Sequence, residues 1–299
     1  MLLVTHRFQA MASACAIHVE ANAGAAAIAL AAEAEVLRIE ARYSRYRTDS
    51  ELTRINRAAA AGDTVDIAPE TAGLVAYAMG CYRASNGAFD ITSGLLREAW
   101  DFSTSRLPEQ SEIAALLPRI GLDKVTLSEG RLCFAQSGME LDLGGLGKEY
   151  ACDRAAELCS ELGATNGFVD LGGDIRAIGP QASGEPWRIG IRNPHDGASM
   201  VAHVALGEGA LATSGNDQRF IAVDGVRYCH ILDPRTGWPA RGLSSVTVIA
   251  PRCLVAGSLA TMAMLRGSEA GAWLRRLGVR HIIVDDQGRR SGSEPLLAS

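Results

Sequence analysis

LDLGGLGKEY, residues 141–150, sets three glycines between an apolar run and the start of a polar, helix-forming one. A strand that ends in glycines and feeds a helix is how a dinucleotide-binding βαβ unit begins. This stretch therefore decides between a doubly wound parallel sheet and another architecture. The dinucleotide fingerprint needs GxGxxG, but Gly145-Leu146-Gly147-Lys148-Glu149-Tyr150 ends in tyrosine, so the third glycine is missing. A Walker A loop needs Ser or Thr after Gly-Lys, and Glu149 follows Lys148. What remains is a strand over 139–143, a tight turn and a helix over 150–162, with Asp142 ahead of the turn and Lys148 on it. Free amides at a helix start suit an anion. A strand-to-helix turn that needs small residues accounts for the same glycines.

Outward from this stretch the chain does not alternate strand and helix. Residues 2–20 read as one or two strands, with Ile17 and Val19 alternating with His18 and Glu20. Residues 24–41 read as an amphipathic helix with Ile28, Leu30, Val36 and Ile39 on its apolar side. A short helix capped by Asp49 or Ser50 runs through Leu52 and Ile55 to Asn56. Further helices cover 69–85, stopped by Asn86-Gly87, and 108–117. KVTLSEGRLCF (124–134) is a hairpin about Glu129-Gly130, and 220–223 pairs with 228–232 about Asp224-Gly225. Strands are expected at 167–171, 188–192, 245–250 and 280–285 and as a single run over 201–213, with helices at 253–266 and 268–277. Hairpins without strict βαβ alternation predict an α+β fold of mixed or antiparallel sheets packed by helices. The length suits one domain over residues 1–299 or two intimate lobes.

Composition narrows the function. A net charge of −5, aromatics at 5% and no long basic run argue against a nucleic-acid reader. The seven cysteines are odd in number and form no CxxC pair, which argues against a disulfide framework or structural zinc and for buried thiols in a reducing compartment. No HExxH or paired-histidine spacing marks a metal site. The alanine-rich run at 23–37 is interrupted by Glu33 and Glu35 and does not read as a membrane span. Ser13-Ala14-Cys15 lacks the preceding apolar run of a lipoprotein signal. The expectation is a cytoplasmic protein with no nucleic-acid or membrane partner; the oligomeric state stays open.

Three other stretches carry reactive side chains in turn-like settings: SNGAFDITSG (85–94), LATSGNDQRF (211–220) and HILDPRTGWP (230–239). Each has a plain reading as a capping turn, a Ser/Gly turn or a Pro/Gly turn. Their order changes the weighing. YSRYRTDSELTRIN, GAFDITSGLLREAW, LDLGGLGKEYACD, FVDLGGDIRAIG, ATSGNDQRF, HILDPRTGWP and VTVIAPRCLVAGSLATMAML together resemble the FAD:protein FMN transferase (ApbE) family, from about Phe8 to Val284. The resemblance implies an α+β fold with tandem related, T-fold-like halves and a flavin cleft. It implies transfer of FMN from FAD to a Thr or Ser hydroxyl of an acceptor flavoprotein, with Mg²⁺ and release of AMP. Met11 and Tyr46 match flavin or adenine contacts, Ala88, Phe89 and Asp90 a further flavin contact, and Asp142 and Lys148 the glycine loop that holds FAD. Thr213, Ser214 and Gly215 match a nucleotide-side loop and His230 the general base. Gly145, by its carbonyl, and Thr261 match metal ligands.

The chain departs from that family at a metal carboxylate. The pattern A-D-A-L-A-T-A is met by Ala256-Gly257-Ser258-Leu259-Ala260-Thr261-Met262, so Gly257 stands where the Asp belongs. M-G-T becomes Met11-Ala12-Ser13, and K-G becomes Lys148-Glu149. Mg²⁺ is usually held by one or two carboxylates together with substrate phosphates, so the loss should weaken the site unless Glu149 or Asp217 substitutes. On this reading Gly257→Asp is expected to raise Mg²⁺ affinity. The alternative is a family member that binds FAD without transfer, as a carrier, sensor or partner protein.

Overall fold

The computed structural model describes residues 2–21, 24–217 and 219–295. Strands β1 (Leu2–Ala10) and β2 (Ser13–Ala21) form a hairpin, followed by helices α1 (Ala25–Tyr43) and α2 (Glu51–Ala61). Next come β3 (Thr64–Asp66), α3 (Pro69–Ala84), α4 (Gln110–Leu116) and the hairpin of β4 (Val125–Ser128) with β5 (Arg131–Phe134). Helix α5 (Gly147–Glu161) precedes two hairpins, β6 (Asn166–Leu171) with β7 (Asp174–Gly179) and β8 (Trp187–Arg192) with β9 (Met200–Leu206). Strand β10 (Ala210–Gly215) and the hairpin of β11 (Phe220–Val223) with β12 (Val226–Cys229) follow. Last are β13 (Leu243–Ala250), α6 (Cys253–Arg266), α7 (Ala270–Arg276), β14 (Arg280–Asp285) and β15 (Arg290–Gly292).

Eight strands make one sheet in the order β1-β2-β6-β7-β10-β13-β14-β15, and its pairings are antiparallel. Side chains alternate between the faces of a strand, so the central strands feed two cores. Val246, Val248, Ala250 and Ile283 join Ile39, Ala151 and Ala260 of the helices on one face. Ile249, Ile282 and Val284 point the other way, against Ile189, Ile191, Val201 and Val204 of the β8–β9 hairpin. This two-sided burial is why every residue of β13 is buried. A third cluster around Leu96, Trp100, Ile113 and Ile221 ties residues 93–120 to the β11–β12 hairpin. Glu70 on α3 accepts hydrogen bonds from Arg38 and Arg42 on α1 and from Tyr150 on α5, which fixes the start of α5 against both helices.

The α+β class read from the hairpins holds, and several details differ. Residues 139–143 are not a strand. Their backbone bonds go elsewhere: Leu141 N donates to Asn56 Oδ1, Asn56 Nδ2 donates to the Leu141 carbonyl, and Asp142 N donates to the Ile91 carbonyl. The alternating apolar side chains Met139, Leu141 and Leu143 mimic a strand without a ladder. Helix α5 starts at Gly147, not at 150. The run 201–213 is two strands, β9 and β10, parted by a turn with Gly209 at φ 78°. Leu30 is 55% exposed, and Ala29 and Ala32 carry the buried stripe of α1 instead. The helix capped by Ser50 continues to Ala61, because the alanines after Arg57 extend it until Gly62 in the left-handed region. Strand β12 ends at Cys229, and Leu232 makes only an isolated bridge to Pro239. Strands β3, β7 and β15 were not anticipated; β3 and β15 have three residues each, and β7 is hidden behind the Gly172-Gly173 turn.

The β1–β2 turn carries strain. Ala10 pairs with Ser13, leaving Met11 and Ala12 at φ 51° and 57°. Two left-handed residues in a two-residue hairpin make a type I′ turn, where Gly is favoured at the second position. The Cβ of an L-residue makes that conformation unfavourable by about 1–2 kcal/mol. Glycine's larger unfolded-state entropy offsets part of this. Ala12→Gly is therefore expected to raise the stability of the ligand-free protein by about 0.5–1 kcal/mol, seen as a higher urea midpoint at unchanged slope. A lower midpoint would mean that the turn is unstrained.

Candidate active site

The helix start, three hairpin turns and the segment after β12 converge on one cleft of about 1120 Å³. That volume lies just above the roughly 300–1,000 Å³ of ordinary small-molecule sites, which leaves room for a ligand with two joined nucleotides. Every residue given a role by the resemblance lines it. Met11 comes from the β1–β2 turn, and Tyr46, 80% exposed, stands at the rim under a cation–π contact with Arg45. Gly145 and Lys148 lie at the start of α5, Thr213, Ser214 and Gly215 at the end of β10, and Thr261 on α6.

Several of these side chains are already engaged. Asp90 is buried; its Oδ1 accepts from the amide and hydroxyl of Thr92 at 2.7 Å each, and its Oδ2 accepts from Leu122 N at 3.1 Å. It organises the loop that presents Ala88 and Phe89. Asp142 pairs with Arg45, and its Oδ1 accepts from Gly144 N at 2.7 Å. It thereby closes the glycine turn from inside. The N-cap position of α5, Leu146, offers no capping side chain, so the first-turn amides are not occupied by one. An uncapped helix start facing a cleft suits a phosphate.

Lys148 Nζ lies 2.8 Å from Asp174 Oδ2, and Asp174 Oδ1 accepts from Thr213 N at 3.3 Å. Desolvation pulls the Lys148 ammonium down, but Asp174 and Glu149 outweigh it and its pKa ends raised. Lys148 therefore keeps its charge. Burial raises the Asp174 carboxyl, opposed by Lys148. Asp174 was missed in the sequence, although an acid directly after Gly172-Gly173 at a strand end was the available signal. Those two glycines have φ 66° and 95°, and a Cβ on Gly172 would meet Ser13 Cβ at 2.8 Å. The β6–β7 turn thus abuts the β1–β2 turn at the cleft.

The 230–239 stretch divides in two. Asp233, Arg235 and Gly237 serve the turn itself: Asp233 Oδ1 accepts from Arg235 N at 2.9 Å, and Gly237 N donates to the Asp233 carbonyl at 2.7 Å. Gly237 packs on α4, where an added Cβ would lie 2.3 Å from Ile113 Cγ2, and its carbonyl accepts from Trp100 Nε1 at 2.8 Å. His230, Ile231 and Leu232 face the cleft. The His230 ring is open to solvent yet walled by the cleft. Its Nδ1 is 3.2 Å from the Arg219 carbonyl. A carbonyl only accepts, so Nδ1 carries the proton and Nε2 presents its lone pair. Desolvation by the walls lowers the His230 pKa below its ordinary 6.5, helped by the Arg219 charge and opposed by its hydrogen bond to the Arg219 carbonyl. The ring is neutral at pH 7.

Ser214 Oγ and Thr261 Oγ1 are 2.9 Å apart on the cleft lining, which the buried Glu149 also joins. Burial, then the like charge of Asp174, push the Glu149 carboxyl up, with Lys148 opposing. Among the described residues Glu149 Oε2 has no hydrogen-bond partner. Gly257 is covered by this side chain: a Cβ there would lie 2.5 Å from Glu149 Cγ and 2.7 Å from Oε1. This corrects the expectation that Gly257→Asp alone strengthens a metal site, because Glu149 occupies that space. Among the described residues no group of three or more His, Cys, Asp or Glu side chains is arranged to hold a metal. Hydroxyls, the Gly145 carbonyl and an unpaired carboxylate oxygen are nonetheless the hard oxygen donors that Mg²⁺ takes.

Fold and cleft together define an antiparallel α+β protein whose large cleft brings together an uncapped helix start, a charged lysine and a neutral imidazole. The chain belongs to the ApbE family, whose model matches residues 11–283. The FAD:protein FMN transferase of Haemophilus influenzae is 31% identical over 264 residues, covering 84% of this chain and 76% of that protein. The Vibrio cholerae FAD:protein FMN transferase is 33% identical over 254 residues, covering 82% and 76%. Among solved structures, the ApbE protein of Thermotoga maritima matches with a TM-score of 0.91 at 33% identity over 98% of this chain and 97% of its own. The flavin transferase ApbE of Vibrio cholerae matches at 0.87 and 28% identity over 98% and 97%. No helix among the described residues is long and apolar enough to cross a membrane.

Proposed function

We propose that this chain is an FAD:protein FMN transferase that moves FMN from FAD to a Thr or Ser hydroxyl of an acceptor flavoprotein. The observation that carries the reading is the neutral His230, its Nε2 without a hydrogen bond among the described residues, in the same cleft as the uncapped start of α5 and the charged Lys148. The FAD pyrophosphate lies at the Asp142–Lys148 turn, with Met11, Tyr46, Ala88, Phe89, Asp90 and residues 213–215 on the remaining lining. His230 Nε2 takes the proton of the acceptor hydroxyl, whose oxygen attacks the FMN phosphorus. The pyrophosphate P–O bond breaks, and AMP leaves with that electron pair. Gly145, by its carbonyl, and Thr261, by its hydroxyl, would hold Mg²⁺, which when bound polarises phosphate oxygens. The non-transferring carrier reading rested on a carboxylate-poor site at Gly257, and the buried Glu149 against Gly257 weighs against it.

We read residues 1–299 as one domain, since the eight-stranded sheet draws strands from both ends of the described chain. Seven free cysteines, six of them buried, support a reducing, cytoplasmic setting. The test is AMP release from FAD. AMP should form only with Mg²⁺ and an acceptor flavoprotein domain together. AMP formed equally well without acceptor would make the protein a pyrophosphatase, and FAD bound but never cleaved would restore the carrier reading.

A further inference from the structure

We propose that Glu149, in the first turn of α5, supplies the anionic ligand for the divalent cation of this cleft, and that Gly257 on α6 is small in order to admit it. Three observations meet here. Of the buried side-chain polar atoms left without a partner among the described residues, Glu149 Oε2 alone belongs to a residue of the cleft lining. An unmet oxygen on a buried carboxylate is unfavourable unless something binds it. The adjacent cation does not meet it: Lys148 Nζ pairs with Asp174 Oδ2 at 2.8 Å, and Glu149 Oε2 stays without a partner among the described residues. Second, the Glu149 side chain fills the volume over Gly257, where any Cβ would overlap Cγ and Oε1 at 2.5 and 2.7 Å. Third, Gly257 and Thr261 are one turn apart on α6 and so share a face. The carboxylate against Gly257 is thereby brought over the turn that carries the Thr261 hydroxyl, itself 2.9 Å from Ser214 Oγ. A carboxylate that would be expected from α6 reaches the same place from α5. The two residues form one reciprocal unit, large on one helix and absent on the other.

The inference rests on the transferase reading only for the nature of the cation, so its test uses cation binding and not turnover. Mn²⁺ serves as the probe, titrated by its EPR signal into the purified full chain with FAD present, and thermal stability is recorded for each variant. Losing an outer ligand partner commonly costs 10–100-fold in metal affinity, so losing the anionic ligand itself in Glu149→Gln should weaken Mn²⁺ by roughly tenfold or more. FAD binding in EDTA and the melting temperature should stay near wild type. Gly257→Asp alone should lower the melting temperature without tightening Mn²⁺. Glu149→Gly combined with Gly257→Asp should regain both, which neither single change predicts. Wild-type Mn²⁺ affinity in Glu149→Gln would overturn the proposal, as would tighter binding in Gly257→Asp alone. If the double variant fails to fold, Glu149→Gln still decides. Glu149-dependent cation binding without FMN transfer would sink the transferase reading and leave this one standing; transfer with Glu149-independent binding would do the reverse.

Discussion

Replacing His230 with Gln should lower the rate of FMN transfer by about 10²–10⁴-fold, the usual contribution of a positioned general base, and should leave FAD affinity nearly unchanged. Glutamine keeps a hydrogen-bonding side chain of similar reach but accepts no proton at neutral pH. The pH dependence separates the base from a merely structural histidine. On the proposed mechanism His230 acts when neutral, and desolvation by the cleft walls lowers its pKa from 6.5. Wild-type activity should therefore be full at pH 7 and fall as acid protonates the ring, with its midpoint below 6.5. The Gln variant should lack that acid limb. A variant that retains the full rate, or the same limb, would remove His230 from proton transfer.

Replacing Lys148 with Met should lower the stability of the ligand-free protein by about 3–5 kcal/mol, because it strands a buried charge. Asp174 is 3% exposed, Lys148 is its cation, and Thr213 N is its other donor. The Coulomb partner of a buried carboxylate matters most when it is removed alone. Adding Asp174→Asn to Lys148→Met should recover a large part of the loss, since the amide needs no counter-charge. Urea unfolding of the four proteins in the cycle reads this directly. A loss under about 1 kcal/mol for the single change would show a solvent-screened pair of the surface kind. The same ammonium stands beside the uncapped start of α5, so the single variant should also bind FAD more weakly.

The hairpins were legible because their signals are local. Glu129-Gly130 and Asp224-Gly225 are adjacent left-handed pairs between β-rich runs, and both make the turns expected. Most of the cleft residues were legible through ordered motifs, since their residue types stand in short runs of consecutive positions. What stayed hidden depends on contacts between distant residues. Residues 139–143 look like a strand because Leu141 and Met139 are buried, but their backbone partner is the side chain of Asn56, 85 positions away from Leu141. No periodicity reveals such a partner. The Asp174–Lys148 pair crosses from β7 to α5, and the Glu149–Gly257 fit crosses from α5 to α6. In the sequence these look like two unrelated losses, a glycine gained on one helix and a glutamate gained on another. In three dimensions the Glu149 side chain packs directly against Gly257. Asp90 shows the opposite error of emphasis: it belongs to the cleft, but its carboxylate is spent on Thr92 and Leu122.

The most direct measurement of the central claim is the intact mass of an acceptor flavoprotein domain after incubation with this chain, FAD and Mg²⁺. The account predicts one FMN-sized mass gain per acceptor. The gain should be lost when the acceptor's target Thr is replaced by Val and when His230→Gln is used. An unchanged acceptor mass with FAD still bound and intact, over a panel of acceptors that includes the native partner, would contradict it.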